Sequence, residues 1–131
     1  MKNIKVVDGN LVIQPKKDGD SYTSGRVNTQ GKHDYTYGRF EVRAKVPSGS
    51  GYLPAFWLMP TDENLYGQWP RCGEIDAMEV MGSNTAKVYG TIHYGNPHDE
   101  SQGTYITAGS DFSVSISNED KFFPKPFLFS F

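Results

Sequence analysis

Three carboxylates crowd the segment Gly73-Glu74-Ile75-Asp76-Ala77-Met78-Glu79-Val80-Met81, separated by apolar residues. In an extended strand successive side chains take opposite faces, so Glu74 and Asp76 share one face and Ile75 and Ala77 the other. Strict alternation would bring Met78 to the acidic face and turn Glu79 away. One extra residue, taken up as a β-bulge near Ala77–Met78, returns Glu79 to the face of Glu74 and Asp76. Two glutamates converging across an aspartate can cleave a glycosidic bond. One carboxylate attacks as nucleophile and the other serves as acid and then base, with the pair about 5–5.5 Å apart. Their backbones start on the order of 13 Å apart, at ~3.4 Å per residue over four effective steps, a gap that long glutamate side chains can mostly close. Asp76, between them, holds their protonation states apart, because like charges nearby raise one pKa. The plain alternative is an exposed strand edge whose charges oppose aggregation.

The acidic strand needs neighbours to position it. Lys87-Val88-Tyr89-Gly90-Thr91-Ile92-His93-Tyr94-Gly95 reads as the strand that pairs with it. Upstream, Tyr37 to Val46 alternates cleanly: Phe40, Val42, Ala44 and Val46 form an apolar face, and Arg39, Glu41, Arg43 and Lys45 a charged one. The run Leu53 to Pro60 is dense in large apolar groups, and by composition Trp57 within it is more often core than ligand contact. Thr61 to Trp69 is a polar loop. A tryptophan at its end, close before Glu74, is hard to explain as core, so Trp69 is the better candidate for stacking on a sugar ring. At the N-terminus Asp8-Gly9-Asn10 turns one short strand into Leu11-Val12-Ile13, an Asp-Gly hairpin signal. Pro15 to Asp20 reads as a charged loop, Pro47 to Tyr52 as a flexible one, and Asn96 to Gly109 as a loop with a short strand.

With 131 residues, the chain has room for one domain and a modest core. Its 37% hydrophobic and 14% aromatic content, with Gly 14 and Pro 8, suits a turn-rich all-β globule. The net charge of −2 comes without a basic block, which points away from nucleic acid and anionic membrane surfaces. No apolar run approaches the ~20 residues of a membrane span. Met1 to Val7 lacks the apolar core of a signal peptide. Cys72 has no partner for a disulfide and reads as a small buried hydrophobe rather than a nucleophile. His33 reads as solvated. His33, His93 and His98 show no paired ligand spacing in the sequence, so no metal and no cofactor is expected.

Glu-Ile-Asp-x-x-Glu, with Trp57 in PAFWLMP and Trp69 in QWPRCGE before it and TIHYG after it, closely resembles glycoside hydrolase family 16. Within the family the chain is most similar to the laminarinase-type endo-β-1,3-glucanases; lichenases typically lack the extra bulge residue. The likeness runs from about Ile4 to Gly109 through DGNLVI, YTSGRVNTQGK and YGRFEVRAKVPSG. It implies a single domain over 1–131: a β-sandwich of jelly-roll, concanavalin A-like type with a concave glucan cleft. It implies retaining endo-hydrolysis of β-1,3-glucan or mixed-linkage β-1,3-1,4-glucan, with Glu74 as nucleophile, Glu79 as acid/base and Asp76 tuning them.

By the same resemblance Asn28 would hydrogen-bond a sugar hydroxyl, its alternative being a turn cap. Arg39 would lie near the cleft, its alternative being an ion pair. Trp57 moves toward the cleft, and His93 would meet the acid/base or the substrate, its alternative being a satisfied strand histidine. Many family members also bind a structural calcium on the outer sheet, a site not evident in these residues. The parent protein would be secreted.

The resemblance breaks after residue 113: the Glu-Trp strand and the Trp-Tyr-Val-Asp-Gly-like hairpin of the family are absent, and 110–131 departs from its pattern. The chain therefore reads as N- and C-terminally incomplete, a sandwich lacking several strands. The aromatic-rich tail and open edges imply either self-association or marginal stability. The rival to the enzyme reading is a truncated glucan-binding domain with little or no catalysis.

Overall fold

The computed structural model describes residues 3–95, 97–106, 111–118 and 127–130. Eleven strands follow one another, all paired antiparallel, with no helix among the described residues. Two small hairpins come first. In one, β1 (Ile4–Val7) turns into β2 (Asn10–Ile13) through Asp8 and Gly9. Both turn residues have positive φ, 48° and 77°. A two-residue turn of this kind needs that geometry, and glycine supplies it without a steric cost. The second hairpin, β3 (Lys16–Asp18) to β4 (Ser21–Thr23), falls where the charges of Pro15 to Asp20 suggest a loop. Its strands are mostly exposed and so carry no apolar periodicity to read.

The main layer is a five-stranded sheet with the order β11-β6-β7-β8-β9. Its members are β6 (Ala55–Pro60), β7 (Glu74–Glu79), β8 (Lys87–Tyr94), β9 (Asp99–Ile106) and β11 (Phe127–Ser130). The acidic strand is therefore central, and β8 pairs with it as its sequence implies. The strand β9 is longer than its polar sequence suggests: a continuous ladder along β8 orders it, and residues 99–103 within it are exposed.

A second layer, β5 (Gly38–Lys45) with β10 (Asp111–Asn118), lies against one face of that sheet. Phe40, Val42 and Ala44 of β5 pack on a core of Val46, Phe56, Leu58, Ile75, Ala77, Met78, Val80 and Val88. Each large buried side chain there contributes about 1.5–3 kcal/mol. Burying the even positions of β6 (Phe56, Leu58) necessarily leaves Trp57 on the opposite face, and burying Ile75 of β7 does the same for Glu74 and Asp76. Ile92 and Tyr94, on the face of β8 that also carries Val88, are exposed. The self-association expected of the tail concerns Phe122, Phe123 and Phe131, which lie outside the described residues, together with the stretch that forms β11.

The loop from Pro47 to Tyr52 is pinned where the sequence suggests a flexible one. Gly49 N–H donates to the Gly82 carbonyl at 2.8 Å, and Gly82 N–H donates to the Tyr52 carbonyl at 2.9 Å. A Cβ on Gly82 would stand 2.4 Å from the Gly49 carbonyl oxygen and 2.8 Å from the Tyr52 Cβ. Gly82→Ala should therefore lower stability by on the order of 1–3 kcal/mol in urea unfolding. An unchanged midpoint would mean the loop does not dock there.

Candidate active site

The bulge lies where the spacing of the acids places it. Along β8 the register runs Glu74↔His93, Asp76↔Thr91 and then Glu79↔Tyr89, so β7 gains one residue between Asp76 and Glu79. Along β6 the pairs Trp57↔Asp76 and Phe56↔Met78 show the same slip. His93, Thr91 and Tyr89 are alternate residues of one strand and share a face. Their partners Glu74, Asp76 and Glu79 therefore share it too, while Ile75, Ala77 and Met78 are buried in the core.

Each carboxylate meets a different environment. Glu74 Oε2 accepts a hydrogen bond from the Trp69 indole Nε1–H at 2.5 Å. Asp76 is only 4% exposed. Burial first, then the charges of Glu74 and Glu79 and a hydrogen bond to Glu74, push its pKa up to about 8. Near neutral pH Asp76 is thus a carboxylic acid beside Glu74. His93 Nε2 approaches Asp76 Oδ2 at 3.1 Å. That approach is off line, and Oδ2 has no aligned hydrogen-bond partner. Glu79 Oε2 accepts from the Thr91 hydroxyl at 3.2 Å, and Thr91 Oγ1 accepts in turn from Gln102 Nε2 at 3.1 Å. Thr91 is buried, so this chain of donors holds Glu79 from below.

The remaining sequence candidates divide. Trp69 leads into a cis Trp69–Pro70 peptide and is 47% exposed, with its ring 5.1 Å from that of His98 and 5.9 Å from that of His93. Trp57 stands on the acidic face opposite Asp76, but the Arg26 guanidinium covers its ring at 4.8 Å. His93 is part of the cluster through Asp76. Asn28 is exposed, and its Oδ1 accepts from Gln30 N–H at 3.2 Å, the turn-capping alternative. Arg39 is not brought to the acids. It lies on the face of β5 opposite Phe40 and pairs with Glu41 at 2.8 Å, both side chains exposed. Cys72 is buried, and burial with the charge of Glu63 raises its thiol pKa, so it is not a thiolate.

Sequence reasoning missed Thr91, Gln102, Arg26, His98 and Glu100. Linear spacing also did not show that His93 Nδ1 and His98 Nε2 lie 3.1 Å apart, with Glu100 Oε2 3.4 Å from the former. A hairpin turn folds His98 back beside His93, which linear spacing does not display. Trp69→Phe, which keeps a ring but removes the N–H aimed at Glu74, should lower kcat more than it raises KM. A pure KM effect would make Trp69 a stacking platform alone.

The model for glycosyl hydrolases family 16 matches residues 1–118. The chain is 43% identical over 125 residues to a beta-glucanase of Rhodothermus marinus, covering 87% of this chain and 43% of that protein. It is 41% identical over 114 residues to glucan endo-1,3-beta-glucosidase A1 of Niallia circulans, covering 78% of this chain and 17% of that one. The laminarinase catalytic domain from Thermotoga maritima superposes with a TM-score of 0.78 at 31% identity, covering 98% of this chain and 68% of the other. The chain belongs to glycosyl hydrolase family 16, and its fold is the all-β jelly-roll sandwich. It spans less than half the length of those two curated relatives.

Proposed function

We propose that this chain carries the hydrolytic centre of a retaining endo-β-glucanase, acting on β-1,3-glucan or on mixed-linkage β-1,3-1,4-glucan. The observation that carries this reading is the bulge, which sets Glu79 on the face of Glu74 and Asp76. Glu74 attacks the anomeric carbon and forms a glycosyl ester as the leaving sugar departs. Glu79 protonates the leaving oxygen, then takes a proton from the water that hydrolyses the ester. Trp69 and the protonated Asp76 orient the Glu74 carboxylate, and Thr91 orients Glu79. The open face of Trp69 suits a sugar ring better than the covered face of Trp57.

Glu79→Ala tests the division of labour. It should slow laminarin hydrolysis by about 10²–10⁴-fold and spare activated aryl glycosides, whose leaving groups need little protonation. Equal losses on both substrates would remove Glu79 from the acid/base role. Binding of glucan by the unaltered chain without release of reducing ends would favour a glucan-binding domain.

A further inference from the structure

We propose that His93, His98 and Glu100 form a binding site for Zn²⁺ or a closely similar divalent transition metal. The site is independent of the glucanase reading. His93 on β8 faces Glu100 on β9 across the ladder, and the turn between the strands carries His98. The three donor atoms are His93 Nδ1, His98 Nε2 and Glu100 Oε2. They lie 3.1, 3.4 and 3.9 Å from one another. A tetrahedral zinc ion with bonds of about 2.0–2.2 Å separates neighbouring donors by about 3.3–3.6 Å. The three atoms thus already outline one face of such a tetrahedron. His98 and Glu100 side chains are 41% and 52% exposed, so the ion's fourth position opens to water.

A second observation points the same way. The other nitrogen of His93, Nε2, lies 3.1 Å from Asp76 Oδ2, a buried oxygen with no aligned hydrogen-bond partner. Metal on Nδ1 leaves the ring hydrogen on Nε2, the nitrogen that stands 3.1 Å from that oxygen. A carboxyl group beside the far nitrogen of a ligating imidazole is the usual outer support of a zinc site. Two imidazoles and one carboxylate suit zinc, whereas calcium calls for six to eight oxygens.

The test is a Co²⁺ titration of the tag-free, chelator-treated 131-residue protein. Intense visible bands of tetrahedral Co²⁺, displaced by Zn²⁺ and not by Ca²⁺, are expected. His98→Ala and Glu100→Gln should each raise the Kd at least about tenfold while leaving the far-UV circular dichroism unchanged. No band, a weak octahedral spectrum, or the same titration curve in the variants would overturn the site. Should a variant fail to fold, Co²⁺ broadening of histidine NMR signals in the unaltered protein decides. Broadening confined to His93 and His98 supports the site; equal broadening of His33 overturns it.

Discussion

Glu74→Gln should stop laminarin hydrolysis, with a loss on the order of 10⁴-fold or more, as removal of a covalent nucleophile does elsewhere. The amide cannot form the glycosyl ester, yet it changes little else. Its oxygen still accepts the Trp69 indole N–H that Glu74 accepts at 2.5 Å. The strand partner opposite remains His93. Melting temperature and circular dichroism should therefore match the parent, and glucan binding should survive. Reducing-end release within tenfold of the parent would remove Glu74 from the nucleophile's place and, with it, the retaining mechanism.

Asp76→Asn should change how stability depends on pH. The folded state holds the Asp76 proton up to about pH 8, against an ordinary carboxyl value of 3.8. Below the lower value both folded and unfolded chains are protonated, and the group adds no penalty. Between the two values folding takes up a proton, so the contribution of Asp76 to stability falls as the pH rises toward 8. Above that, the penalty of a buried anion beside Glu74 and Glu79 is complete. Asparagine is neutral throughout and nearly the same shape. Urea unfolding from pH 4 to 9 should show the parent losing stability across this range and the variant losing distinctly less, ending more stable at pH 9. Parallel curves would mean that Asp76 titrates as an ordinary exposed carboxyl. The variant should also hydrolyse glucan more slowly, because an amide cannot share a proton with its neighbours.

Much of the strand framework was legible because burial writes itself into local pattern. Phe40, Val42 and Ala44 announced β5, and the order Glu-Ile-Asp-Ala-Met-Glu announced both a strand and its irregularity. The Asp8-Gly9 turn was legible for a similar reason, since few residues accept its backbone. What stayed hidden was register. Nothing near Gln102 in the sequence says that it lies opposite Thr91, nor near Glu100 that it faces His93. The strand β9 is polar along an edge of the sheet, so it offers no periodicity to betray it. Competition between neighbours was equally invisible: Arg26 claims the ring of Trp57, and Glu41 claims Arg39. Asn28 illustrates a local preference, its oxygen accepting from the backbone N–H of Gln30 two residues on.

The slip in β7 also bears on how this surface can vary. A pleated strand obeys a rule of parity: with an odd number of residues between them, two side chains share a face, and with an even number they do not. Asp76 and Glu79 are separated by two residues, Ala77 and Met78, and both of these turn into the core. The bulge cancels one of them, so the functional count is odd although the chemical count is even. A chain with one residue fewer at this point would present the same three acids from a regular strand. The acidic face is therefore compatible with two lengths of sequence, and the interior beneath it, where Ala77 and Met78 pack beside Phe56 and Val88, is the part that must be redrawn between them.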